Sequence, residues 1–269
     1  MFCKHANYFF NNYAPLRKEE SKLSITYGYS DFYSYLVPTT KGMLSFLGGE
    51  VNNWQGLQIL DTACGNGSLA QGLVDMGARV TAMECSPVVL AQATEFSRRS
   101  GSPRKPYYIS GDLQRLPGEA GTFQMVLCLN NAVSALSNAD AYRDFFRQAA
   151  SLLVPEGRLV IQMLNYNRVV DKGDYSLNSI EEPEKGILIQ RWFEDGSDGM
   201  LDLVSRVRIL RLDAFEFSNH RSRVYPICQD ELREILSETG FAPLFFFSDV
   251  LRTEWVADCY STLLMAVRK

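Results

Sequence analysis

Two hydrophobic rhythms divide the chain. From Leu57 to Leu164 short apolar runs alternate with amphipathic stretches, whereas from Gly186 to Tyr225 apolar and polar residues often alternate singly. The first rhythm predicts parallel strands separated by helices. Its strands are Leu57–Leu60, Ala78–Met83, Tyr107–Ser110, Phe123–Leu129 and Arg158–Leu164. Between them lie a helix from Leu69 to Met76 capped by Ser68 or Asn66, one from Ser86-Pro87 to Arg99, and one from Asn138 or Asp140 to Leu153. The turn Pro155-Glu156-Gly157 follows. Proline at a first helical position and a short polar side chain just before it are ordinary start signals. The second rhythm, as in Val204-Ser205-Arg206-Val207-Arg208-Ile209, predicts an antiparallel sheet with one wet face. Its strands are Gly186–Phe193, Leu201–Leu210 and Phe215–Tyr225, with no convincing helix between residues 166 and 228. A helix from Gln229 to Thr239, stopped by Gly240, and strands Phe241–Phe247 and Thr262–Val267 complete the chain.

Composition narrows the class. Of the 269 residues 46% are hydrophobic and 22% charged, as in an ordinary globular enzyme, and the net charge of −4 disfavours a nucleic-acid partner. No run is long and apolar enough to span a membrane and the N-terminus lacks a secretory layout, so no membrane partner is expected. The six cysteines include no close pair, which points to a reduced, cytoplasmic protein without a zinc or redox motif. Residues 1–50 are dense in aromatics, Tyr33 among them, and read as a helical cap that either covers the sheet or closes over a ligand.

Chemistry concentrates at strand ends. Asp61, Glu84, Asp112, Asn130 and Asn165 each follow an apolar strand, and ligands of open α/β sheets bind outside those carboxyl ends. Asp61-Thr62-Ala63-Cys64-Gly65-Asn66-Gly67 is a glycine turn into a helix N-terminus. Gly65 and Gly67 can take positive φ and admit a ligand to the backbone. Glu84, closing the next strand, is placed to accept from ribose hydroxyls. Together they signal a bound nucleoside.

These motifs, with Gly111-Asp112-Leu113, Asn130-Asn131 and Leu153-Val154-Pro155-Glu156-Gly157-Arg158-Leu159, resemble those of class I S-adenosylmethionine-dependent methyltransferases, in order and spacing. The stretch Leu164-Asn165-Tyr166-Asn167 resembles small-molecule members of the glycine/sarcosine N-methyltransferase-like kind. The resemblance implies a Rossmann-like α/β fold: seven strands, mostly parallel, the last antiparallel, helices on both faces. It divides the chain into a cap (1–50), a cofactor domain (51–165 and 226–269) and an antiparallel lid (166–225). It also implies the cofactor S-adenosyl-L-methionine. Ala63, Gly65 and Gly67 would hold its methionine and ribose, Asp61 its ammonium, Glu84 the ribose hydroxyls. Cys85, Ser86, Asp112 and Leu113 would meet the adenine, Asn130 would line the transfer site, and Tyr33 would cover the cofactor.

Acceptor contacts are expected from Asn131, Asn165, Tyr166, Arg221 and Tyr225, and Arg191 and Arg223 offer further cations for an anionic substrate. His220 is the candidate base. The expected partner is a small-molecule acceptor methylated at N or O by in-line displacement; a second copy of the chain is retained as a further partner. Three alternatives stay open. Gly65-Asn66-Gly67-Ser68-Leu69-Ala70 also fits the nucleotide turn of an NAD-dependent oxidoreductase, and the same pocket would serve a non-catalytic nucleoside-binding module or a tRNA or other nucleic-acid methyltransferase.

Overall fold

The computed structural model describes residues 40–211 and 214–269. The expected cap before Thr40, including Tyr33, lies outside them. A helix, α1 (Thr40–Gly48), leads into alternating strands and helices: β1 (Gln58–Asp61), α2 (Ser68–Asp75), β2 (Arg79–Glu84), α3 (Pro87–Arg99), β3 (Tyr107–Ser110), β4 (Phe123–Cys128), α4 (Ala139–Leu152) and β5 (Leu153–Leu164). After a short helix α5 (Tyr166–Lys172) come four strands: β6 (Ser176–Glu182), β7 (Ile187–Asp195), β8 (Leu201–Arg211) and β9 (Ala214–Val224). The chain closes with α6 (Gln229–Glu238), β10 (Phe241–Phe247) and β11 (Ser261–Arg268).

The main sheet has the order β10-β11-β5-β4-β1-β2-β3. Strands β3, β2, β1, β4 and β5 are parallel, and β11 runs antiparallel to β5 and β10. Because its central strands are buried on both faces, alternate residues build two cores. Leu60, Val126, Cys128, Leu159 and Ile161 pack with Phe145 and Phe146 of α4 and Leu232 and Ile235 of α6. Ile59, Met125, Leu127 and Val160 pack on the other side with Phe46 and Leu47 of α1 and Leu73 and Val74 of α2. The chain order reverses between β1 and β4, so a crevice opens at their carboxyl ends, next to the glycine turn.

Strands β6-β7-β8-β9 form a second, wholly antiparallel sheet. Phe193 of β7 packs on Tyr166 of α5, ring centroids 5.7 Å apart, and fixes one face of this sheet toward the main body.

Three local expectations change. The Pro155-Glu156-Gly157 turn does not precede β5 but is a bulge within it. The β4 partners jump from Leu153 to Arg158, and Glu156 takes φ 63° to make the step. Helix α5, absent from the expectation, is too short for periodicity to reveal. Its legible signals are Asn165, whose side chain accepts from Asn167 N, and Gly173 at φ 64° after its last turn. Strand β6 was unexpected too, because a register shift between Leu177 and Ile180 breaks its alternation. Among the described residues no helix is long and apolar enough to cross a membrane.

Candidate active site

The glycine turn is held from several sides. Thr62 donates its amide (2.9 Å) and its hydroxyl (2.8 Å) to the Leu127 carbonyl, tying the end of β1 to β4. Gly65 N–H donates to Glu84 Oε2 at 3.1 Å, and Glu84 Oε1 accepts from Ser86 N–H at 2.9 Å. Oε1 also accepts from the Cys85 thiol at 3.5 Å, and Oε2 keeps a further lone pair for a hydroxyl donor. Gly67, at φ 75°, is the N-cap of α2. A Cβ there would collide with the Tyr108 hydroxyl and stand 3.0 Å from Ala93 Cβ, so only glycine allows this approach of α2, α3 and β3. Asn66, not Ser68, serves the first turn: its Oδ1 accepts from Ser68 N–H, while the Ser68 hydroxyl pairs with Thr40.

Asp61 lies behind the turn, 2% exposed, its Oδ1 accepting a long (3.4 Å) bond from Ala63 N–H. Burial, reinforced by the Glu84 carboxylate, pushes its carboxyl up to about 7 against the pull of the Ala63 N–H. Cys85 is exposed, its thiol pushed upward by partial burial and then by Glu84. Asp112 accepts from Gln114 N–H at 2.8 Å, closing a loop that carries Leu113 beside it.

At the end of β4 two successive asparagines, Asn130 (φ 55°) and Asn131 (φ 65°), adopt the left-handed region. Asn131 fastens this turn from below. Its Oδ1 accepts from Leu164 N–H (3.0 Å) and the Ser134 hydroxyl (2.8 Å), and its Nδ2 donates to Tyr166 Oη (3.1 Å).

A cavity of about 1190 Å³ begins at Thr62, Ala63, Glu84 and Cys85 and continues past Asp112, Leu113, Asn130 and Asn131. Its far wall is built by Arg191, Leu203 and Ser222 of the second sheet and by Asp249 and Tyr260 of the loop between β10 and β11. Pockets for one small ligand occupy roughly 300–1,000 Å³, so this one has room for a cofactor and a second molecule.

Of the expected acceptor contacts, the cavity takes in Asn131, and of the further cations Arg191 and Arg223. Asn165 is buried, caps α5 and donates to the Ala257 and Cys259 carbonyls, each at 2.9 Å. Tyr166 is core, 1% exposed. Tyr225 gives its hydroxyl to Glu231 (2.8 Å), and burial, then Glu231, raises its phenol to about 12. Arg221 stands on the outer face of the second sheet, paired with Glu194 (2.7 Å) and Asp202 (3.0 Å). His220 hydrogen-bonds Ser218 at 2.9 Å, its imidazole shifted downward by burial, and does not line the cavity. Sequence reasoning gave no role to Thr62 within the glycine-turn motif, and passed over Leu203, Asp249 and Tyr260, none of which belongs to a motif.

The crevice fits the cofactor expected from the motifs: a glycine turn that a Cβ would obstruct, an acid with a spare lone pair on Oε2 closing the next strand, and apolar and polar walls in one cavity. A sheet of this order, reversed at its last strands over such a turn, defines the architecture of a class I methyltransferase.

Residues 59–157 match the family model described as a methyltransferase domain. The chain is 26% identical over 202 residues to the glycine/sarcosine N-methyltransferase of Halorhodospira halochloris, covering 75% of this chain and 71% of that protein. It is 35% identical over 111 residues to the ubiquinone biosynthesis O-methyltransferase of Methylocella silvestris, 41% of each. In fold it is similar to an S-adenosylmethionine-dependent methyltransferase from Clostridium acetobutylicum, with a TM-score of 0.73, 14% identity, and 88% of this chain and 95% of that one covered. The domain at residues 59–157 and these likenesses support an S-adenosylmethionine-dependent methyltransferase, an enzyme with S-adenosylmethionine as its cofactor.

Proposed function

We propose that this enzyme methylates a small-molecule amine held between the main sheet and the strands of residues 166–225, which act as a lid on the cofactor domain (51–165 and 226–269). One observation carries the reading: a single cavity runs from the glycine turn past Asn130 to the inner wall of the second sheet. The relatives support nitrogen as the acceptor. Likeness to the glycine/sarcosine N-methyltransferase extends over 202 residues, whereas that to the O-methyltransferase stops at 111.

In this reading the backbone of Ala63, Gly65 and Gly67 holds the methionine and ribose, and Glu84 accepts from the ribose hydroxyls. Asp61, ionised, faces the ammonium. Cys85, Ser86, Asp112 and Leu113 surround the adenine. When bound, S-adenosylmethionine supplies an activated sulfonium methyl, so the protein's task is alignment and exclusion of water. Asn130 lines the point of transfer and Asn131 fixes its backbone. An amine that arrives uncharged needs no base, which agrees with His220 lying off the cavity wall.

Turnover of methyl-labelled S-adenosylmethionine against a panel of amines, phenols and carboxylic acids tests the proposal. Labelled amine is the expected product; label confined to the phenols or acids would sink it.

A further inference from the structure

We infer that the acceptor carries an oxyanion, a carboxylate or a phosphate, and that Arg191 and Tyr260 anchor it on the lid side of the cavity. This rests on the cavity being the methyl-transfer site. Among the described residues, several buried side-chain nitrogen and oxygen atoms have no hydrogen-bond partner; Arg191 Nε and the Tyr260 hydroxyl are two of them, and both residues line this cavity. They come from separate elements, β7 and the loop between β10 and β11, and meet the same space.

The two faces of the second sheet show why Arg191 is unusual. On the outer face Arg221 is matched to Glu194 and Asp202, and Arg206 to Asn219 (3.0 Å) and over the Trp192 ring (5.1 Å); Arg223, which also borders the cavity, is matched to Asp202 (3.6 Å). Arg191 lies two residues from Phe193 on the same strand, hence on the inner face that meets Tyr166. Its cross-strand partner is Ser205, 2% exposed, and the partner of Ser205 is His220. This polar row is enclosed by apolar rows, Phe193 with Leu203 on one side and Ile189 with Val207 on the other.

A guanidinium stays charged at any physiological pH, and its planar fork suits two oxygens of one anion. Among the described residues no carboxylate forms an ion pair with Arg191; setting it beside the cavity that way is costly, and an oxyanion relieves that cost. The acid on the same wall does not meet the need. Asp249 turns its oxygens into its own loop, accepting from Leu251 N–H (2.8 Å), Thr253 N–H (3.2 Å) and the Thr253 hydroxyl (2.9 Å). The other carboxylates of the cavity, Glu84, Asp112, Asp140 and Asp144, belong to β2, the loop after β3, and α4.

The test separates this inference from the reading beneath it. Wild type, Arg191→Met, Arg191→Lys and Tyr260→Phe are melted with acetate, succinate or inorganic phosphate, with and without S-adenosylhomocysteine, at ionic strength matched with chloride. In parallel, amines bearing a carboxylate, a phosphate or a neutral amide at one position are offered with labelled cofactor. Saturable stabilisation by a carboxylate or by phosphate is expected, and the responding arm names the source. Arg191→Met abolishes it, Arg191→Lys keeps part of it, and Tyr260→Phe, which removes a single oxygen and serves where the methionine variant folds poorly, weakens it. S-adenosylhomocysteine affinity stays as in wild type in all three. With an oxyanion-bearing amine, Arg191→Met raises KM roughly ten- to a hundredfold with kcat little changed, the scale of one lost charged hydrogen bond or two. No anion response beyond chloride, an unchanged response in Arg191→Met, or equal turnover of the neutral amides overturns the inference. Absence of transfer to any amine overturns the methyltransfer reading instead, since the melting arm reads Arg191 without turnover.

Discussion

The two ends of the cavity are built on opposite principles. At the glycine turn the polar groups already hold one another: Glu84 clamps the amides of Gly65 and Ser86, Thr62 is bonded twice to β4, and Asn131 spends its side chain on Leu164, Ser134 and Tyr166. At the far wall, Arg191 Nε on the second sheet and the Tyr260 hydroxyl on the loop between β10 and β11 are buried without partners among the described residues. The first end is preorganised for one invariant ligand, so its geometry is complete before binding. The second is completed by whatever it binds. In the proposed reading, donor recognition rests on the backbone, and acceptor recognition on side chains of the added sheet and of the loop between β10 and β11.

The contrast can be broken at its rigid end first. Gly67→Val combines left-handed strain with a collision against Tyr108 and Ala93, and should cost roughly 4 kcal/mol of stability in urea unfolding. A loss well under half of that would show the turn to be pliable.

A pH series tests the cost of burying Asp61. Its carboxyl keeps a proton in the fold up to about 7, whereas the unfolded chain releases it near the ordinary value of 3.8. The native state therefore binds more protons across that window, and the unliganded fold loses stability as pH rises through it, on the order of 4 kcal/mol in all. Asp61→Asn should flatten the slope in melts from about pH 5 to about pH 8. Equal slopes in both proteins would mean that Asp61 is ionised throughout.

Glu84→Ala removes the clamp on Gly65 and Ser86 together with the proposed ribose acceptor. S-adenosylhomocysteine affinity by calorimetry should fall by about 2 kcal/mol, and an unchanged value would remove Glu84 from the cofactor site. Asn131→Ala orphans the Leu164 amide and the Ser134 hydroxyl, with an expected stability loss of about 1–2 kcal/mol and a fall in kcat rather than in cofactor affinity. Smallest of all, Arg221→Ala on the outer face of the lid should change stability by less than about 1 kcal/mol and leave the acceptor KM untouched. A raised KM there would shift acceptor recognition to the other face of the sheet.

The N-terminal half of the fold was readable because each strand and helix carries its signal locally. Apolar runs of strand length, Ser86 with Pro87, and Asn138 before α4 lie where the structure has elements and caps. Helix α5 and strand β6 escaped because one is under two turns long and the other is interrupted by a register shift.

What the sequence alone determined is the end of the cavity at the glycine turn: that turn, Glu84 and Asp112 lie at strand ends whose order is local, and local order suffices to bring them to one cavity. Which face of the second sheet looks inward was decided only by tertiary packing. Arg191, Arg221 and Arg223 are equivalent cations along an alternating pattern, and period two says only that neighbours in a strand oppose each other. Phe193 against Tyr166 settles the choice, turning Arg191 toward the cavity and leaving Arg221 to Glu194 and Asp202. Tyr260 reaches the same wall from a loop near the end of the chain, a proximity that closes only when β11 joins β5.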